Sequence, residues 1–235
     1  MKIVFRCPPD LEEILPKPVP ARRGAPDWLK NMPMSAYSDD LGKDVDTFKH
    51  CAPFIDAMSH GFLIPLPTDI TVDRMTFSWD WPVDAPGPDG LAYNVSPIGY
   101  HAPAQAAGSP LFDKDAAFIK FSGFWTIELE PGWSLYVIHP ANRVDLPFRT
   151  VSGLVDADLY SDNFINFPAI WADRDFSGVL KKGTPIAQCI PVLRQRLDLA
   201  FEVLEGEPAE RFTRLKRDII ENPHVYKNEI RARRP

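Results

Sequence analysis

The sequence has little cysteine, no long apolar run and no excess of basic charge, and each lack removes a class of protein. Its three cysteines, Cys7, Cys51 and Cys189, are far apart and form no Cys-x-x-Cys pair, so neither a disulfide framework nor a zinc knuckle is indicated. No apolar run reaches membrane-spanning length, and Met1–Phe5 turns polar at Arg6 before Pro8-Pro9, too short for the apolar part of a signal peptide. A cytoplasmic protein with no membrane partner is expected. A net charge of -6 argues against nucleic acid as a partner, because such binding needs a basic face to release counterions. There is no internal repeat and no low-complexity domain.

What is abundant is proline. Twenty-five prolines in 235 residues are about twice the usual ~5% share, which disfavours long helices and favours short strands joined by ordered loops. A mainly β protein is expected, one domain over 1–235: an N-terminal Pro-rich arm (1–46), a core (47–206), and a C-terminal helix with a basic tail ending in Arg231–Arg234 (207–235). Within the arm, a single turn is expected around Asp27-Trp28-Leu29, with Trp28 packing back on the domain or on a neighbouring subunit. A helix is expected between Thr47 and Gly61, with Lys49, His50 and Cys51 at its start and Cys51 read as a buried thiol.

Alternation then marks the strands. Ile70 and Val72 fall at even positions and Met75, Phe77, Trp79 and Trp81 at odd ones, so a turn or bulge is expected at Asp73-Arg74. That aromatic stripe reads as core or as an oligomer contact ahead of a base-stacking surface. Asp84–Gly90 and Ser96–Pro110 read as loops. Phe118–Phe121, Phe124–Glu130 and Trp133–Ile138 read as strands, the last two joined by a Pro131-Gly132 turn. Leu197, Leu199, Phe201 and Val203 predict a final strand, and Ala209–Glu221 a helix carrying Phe212, Leu215 and Ile219 on one face and stopped by Pro223.

The most informative stretch is Pro140–Gln188. Gly153-Leu154-Val155 delivers Asp156 to a strand end, with Asp158 two residues on, so that both carboxylates can face one side. Lys181-Lys182-Gly183 reads as a tight turn feeding a buried strand, Ile186–Val192, in which Gln188 needs a hydrogen-bond partner. With Pro131-Gly132, Pro140, Gly153-Leu154-Val155-Asp156 and Gly183-Thr184-Pro185-Ile186-Ala187-Gln188 in this order, about a quarter of the chain, roughly 131–190, resembles the dUTPase and dCTP deaminase superfamily. The whole chain also resembles a group of phage and bacterial proteins of this length. The superfamily resemblance implies a β-clip fold, a dUTPase-like barrel or sandwich, and a homo-oligomer, a trimer by the superfamily's habit of building sites between subunits. It also implies Asp156 as a general base orienting water, Asn142 and Arg143 as anion ligands, and Asp158, Tyr160 and Gln188 as ligand-binding residues, with Mg as a cofactor by resemblance alone. The sequence departs from that pattern at Ala141-Asn142-Arg143, where the family's phosphate-holding serines are missing, and it carries no Gly-rich closing tail.

A metal site would draw on His139, at a strand end before Pro140, and on His101, but no His-x-His or Glu-x-x-His spacing supports one. Three functions therefore stand. A β-clip protein binding, and hydrolysing or modifying, a nucleotide or similar small anionic or heterocyclic ligand ranks first. The others are a metal-dependent enzyme of specialised metabolism on the same fold and a non-catalytic phage or assembly protein.

Overall fold

The computed structural model describes residues 1–82, 96–111, 117–222 and 224–232. The loop expected at Asp84–Gly90, the helix stop at Pro223 and the tail residues Arg233 and Arg234 lie outside them. The chain divides into two compact units, Met1–Arg194 and Gln195–Pro235, whereas the boundary expected from sequence falls at 206–207.

The first unit is mainly β, as its composition requires. Its sixteen strands, counted among the described residues, form five sheets in which every pairing is antiparallel. β1 (Val4–Arg6) pairs with β10 (Thr126–Glu128). The largest sheet runs β13 (Gly153–Val155), β11 (Trp133–Ile138), β16 (Pro185–Leu193), β5 (Phe62–Pro65) and β2 (Val19–Pro20), in that order. A second runs β12 (Phe148–Thr150), β14 (Phe167–Trp171), β9 (Phe118–Phe121) and β8 (Ile98–Tyr100), and a third β15 (Ser177–Leu180), β6 (Ile70–Asp73) and β7 (Thr76–Trp79). β3 (Ser35–Ser38) and β4 (Lys43–Asp46) make an isolated hairpin. Among the described residues no sheet closes on itself.

One apolar core joins the sheets other than the β3–β4 hairpin, filled by Phe121, Phe148, Phe167, Trp171, Leu135 and Ile186, all 1% exposed or less. Each such side chain stabilises the fold by roughly 1.5–3 kcal/mol. The aromatic stripe belongs here: Val72 pairs with Phe77 and Ile70 with Trp79, and the Phe77 ring meets Trp171 edge-on at 4.8 Å. The parity switch between β6 and β7 is a hairpin whose corner, Arg74 and Met75, takes positive φ.

Several expectations change. Pro131-Gly132 turns the chain, with Gly132 at φ +87°, but β10 and β11 do not pair with each other. β10 takes β1 as its neighbour and β11 takes β13 and β16. The helix near residue 50 splits into a 3₁₀ turn, Phe48–His50, and α2, Ala52–Ser59. Cys51 between them is exposed and not a buried thiol. Trp28, on the short helix α1 (Asp27–Asn31), does dock on its own unit, its indole N–H donating to Asp145 Oδ1 at 3.3 Å.

In the second unit, α3 spans Gly206–Glu221, starting three residues before the expected Ala209. The strand expected at Leu197–Val203 is not formed. The alternation is there, but a strand exists only when a neighbour takes its backbone hydrogen bonds.

Candidate functional site

β13 ends at Val155 and the chain turns over 156–160, the Asp156 carbonyl accepting from the N–H groups of Leu159 and Tyr160, each at 2.9 Å. Ala157 is fully buried in between, which leaves Asp156 and Asp158 on the same side. Arg194, the residue after β16, lies across both. Its Nη1 donates to Asp158 Oδ1 at 2.7 Å and to Asp156 Oδ1 at 3.2 Å, and its Nη2 donates to Asp158 Oδ2. The turn at Gly132 completes the frame: its carbonyl accepts from Arg194 N–H at 2.9 Å, and its own N–H donates to Asp158 Oδ2 at 2.8 Å.

The two carboxylates consequently differ. The Asp158 side chain is 4% exposed, and the Arg194 hydrogen bonds, helped by Gly132 N–H, hold its pKa down to about 2 against the opposing effect of burial. Such a carboxylate is a permanent anion that fixes a permanent cation. The Asp156 side chain is 54% exposed. Its Oδ1 accepts from Ser134 Oγ at 2.6 Å and from Arg194, while Oδ2 takes no hydrogen bond among the described residues. One oxygen orients the group and the other is open to a donor from outside.

Asp156 also lines an open hollow with Leu154, Leu159, Tyr160, Phe164 and Asn166. Tyr160, expected beside the ligand, therefore does share a surface with Asp156. Leu154 and Leu159 are exposed there, Leu159 by 78%, an apolar floor beside an oriented carboxylate.

The other expected ligands lie elsewhere. Gln188 is 1% exposed, and both ends of its amide are engaged. Oε1 accepts from Ala141 N–H at 2.8 Å, and Nε2 donates to the carbonyls of Ala57 at 2.8 Å and His60 at 2.7 Å. It ties the end of α2 to the loop after β11, a structural duty that leaves no donor for a ligand. Arg143 is bound bidentately by its near neighbour Asp145, Nε to Oδ1 at 2.8 Å and Nη2 to Oδ2 at 2.9 Å. Asn142 sits at the corner of the same turn with φ +59°, a conformation asparagine tolerates better than most residues.

His139, the weak metal candidate, uses both ring nitrogens. Nδ1 accepts from Thr150 N–H at 3.2 Å, so Nε2 carries the proton and donates to the Arg143 carbonyl at 2.9 Å. Burial lowers its pKa, partly offset by the Arg143 carbonyl. His101 Nδ1 is hydrogen-bonded to Gln105 Oε1 at 3.0 Å in a local turn. Among the described residues no three His, Cys, Asp or Glu side chains gather as a metal site.

The expected convergence of Asp156, Arg143 and Gln188 on one pocket is thus not what the backbone makes. Asp156 bonds Ser134 near one end of β11, and Gln188 pairs with Ile138 at the other end. Four residues at ~3.3 Å each separate those ends by about 13 Å. Arg194 and Ser134 were not anticipated. Arg194 is one of two arginines flanking Gln195, and only the strand register shows which of them meets the carboxylates. No family model matches the chain, and no curated protein matches it.

Proposed function

We propose that the chain is a β-clip protein of the dUTPase-like kind that binds a nucleotide or similar small heterocyclic ligand in the hollow between Leu154 and Asn166. The observation that carries this reading is Asp156. It is half-exposed, with one oxygen fixed by Ser134 and Arg194 and the other unengaged, beside an aromatic ring and an apolar floor. An amide or imino N–H of a heterocycle, or a sugar hydroxyl, is the complementary donor, and Tyr160 supplies a face for a flat ring. Binding ranks ahead of hydrolysis. A triphosphate would need donors that the sequence after Pro140 lacks, and Arg143 is already neutralised by Asp145. If the bound ligand is turned over, Asp156 is the base, since its open oxygen can accept a proton from a water.

The test is a thermal-shift and calorimetric screen of nucleosides and nucleotides on the whole chain, repeated on Asp156→Asn, Tyr160→Ala and Arg143→Ala. The first two variants should lose binding at least tenfold with the fold retained, and Arg143→Ala should keep it. Equal binding by Asp156→Asn would make that carboxylate a turn residue and remove the reading. The apolar surface also favours a second reading, an assembly protein. Tyr136 and Leu154 are cross-strand neighbours, and both are exposed, as is Leu159. A neighbouring copy covering them would place the hollow between subunits.

A further inference from the structure

The segment Gln195–Glu205 has the residue pattern of a strand and, among the described residues, belongs to none of the sheets. Leu197, Leu199, Phe201 and Val203 alternate with Arg196, Asp198, Ala200 and Glu202, and all eight are exposed, Phe201 by 93%. Between Pro191 and Gly206 there is no glycine or proline to reverse the chain. α3 follows with its own apolar stripe, Phe212, Leu215 and Ile219, again exposed. Among the described residues of this second unit Val225 alone is buried. The exposed fractions of its large apolar side chains from Leu197 to Ile220 add up to roughly six whole side chains, on the order of 1,000 Å². A standard interface takes about 800 Å² from each partner.

We propose that this unit is a homodimerisation element: Gln195–Val203 pairs antiparallel with the same segment of a second copy about a twofold axis at Leu199, and the α3 stripes cover the apolar side of the ribbon. Charge selects the register. Centred on Leu199, the pairing sets Arg196 opposite Glu202 of the partner subunit, and does so twice by symmetry, with Leu197 opposite the partner's Phe201 on the other face. Centred on Ala200, it would set Asp198 against Glu202 of the partner subunit, a like-charge pair that opposes association. A slip to Leu199 restores attraction without moving the apolar face. A bare two-stranded ribbon is only marginally stable in water, which gives the amphipathic helix its place. An isologous contact of this kind needs no other protein, because each copy brings both halves of every pair.

The full chain is tested by light scattering and sedimentation. Wild type should have an even number of subunits, and Leu199→Glu should halve its mass with the circular dichroism of the β unit kept. Arg196→Glu and Glu202→Arg should each weaken association at least tenfold, and the double variant Arg196→Glu/Glu202→Arg should restore most of it. In a Cys51→Ser background, Leu199→Cys should form an intermolecular disulfide on mild oxidation, since directly opposed strand residues lie at about 4.5–5.5 Å between Cα atoms. This cross-link reads out the pairing even where Leu199→Glu aggregates. A monomeric wild type at high concentration would overturn the proposal, whether the segment then docks on its own chain or on another protein. So would an assembly whose mass Leu199→Glu leaves unchanged, or a charge-swapped double variant no better than the singles together with no cross-link.

Discussion

Replacing Gln188 by leucine separates a structural role from a ligand role more cleanly than any change in the hollow. The shape is nearly kept, but Ala141 N–H loses its acceptor and the Ala57 and His60 carbonyls lose their donor. Each polar group left unpaired in a buried setting costs about 1–3 kcal/mol. Ala57 and His60 are themselves exposed residues and water can reach part of what is vacated, so the total should fall near 3–5 kcal/mol rather than at the upper sum. That is a large share of the 5–15 kcal/mol by which domains are stable. All six tryptophans precede Arg194, so urea unfolding followed by fluorescence reports the β unit alone. At an m-value of about 2 kcal/mol/M, the midpoint should drop by roughly 2 M with m unchanged. Gln188→Glu adds a sign. Its second oxygen would face two carbonyls, which raises its pKa above the unfolded value, so its stability relative to wild type is greatest at low pH and declines as pH rises from about 4. A Gln188→Leu protein with an unshifted midpoint, or one that loses a ligand while keeping its midpoint, would refute the structural assignment.

Three further outcomes follow from the same contacts. Asp158 has a folded pKa near 2, below its unfolded value; its contribution is therefore complete above about pH 4 and lost as pH falls toward 2, and Asp158→Asn should flatten that part of an acid-denaturation profile. His139 is depressed by burial, so the folded state resists its protonation and wild-type stability should fall as pH drops below about 6.5; His139→Gln should remove this slope while costing about 1–3 kcal/mol at pH 8, through the Thr150 N–H left behind. A Cβ at Gly61 would lie 2.1 Å from the Cys189 carbonyl oxygen at φ +72°, so Gly61→Ala should cost more than about 2 kcal/mol in the same urea assay.

Local pattern carried the strands and failed at their partners. β6, β7, β9 and β11 are readable because their inward residues alternate, β16 because a mostly apolar run follows the turn at Gly183, and the Asp73-Arg74 turn because the alternation changes parity. Nothing in Phe124–Ile138 tells β10 to pair with β1 instead of β11, because pairing is decided by long-range packing of faces that look alike in sequence. The same holds for the carboxylates. Their spacing places Asp156 and Asp158 together, but the cation between them comes from Arg194, 36 residues after Asp158, and reaches them only because β16 lies beside β11. Cys51 fails for a different reason: a small apolar-looking residue at a helix start carries no information about which side faces water.

Landmarks along one stretch of sequence need not meet in one place. Gln188 and Asp156 stand at opposite ends of β11, and they differ in the way a builder of the fold differs from a group able to meet a ligand. Gln188 is surrounded by backbone atoms that need it, so its replacement is felt as instability. Asp156 has an oxygen that nothing in the described protein needs, and Asp158, buried and saturated, holds Arg194 in place behind it. Stability alone does not account for where the pair lies, since the guanidinium stays partly exposed and a further hydrogen bond runs from it to Asp156. What the arrangement does yield is orientation of the neighbouring carboxylate. Asp158→Asn should for that reason weaken ligand binding through Asp156 as well as alter the acid profile, and Asp156→Asn should weaken binding directly while the urea midpoint of the β unit is retained.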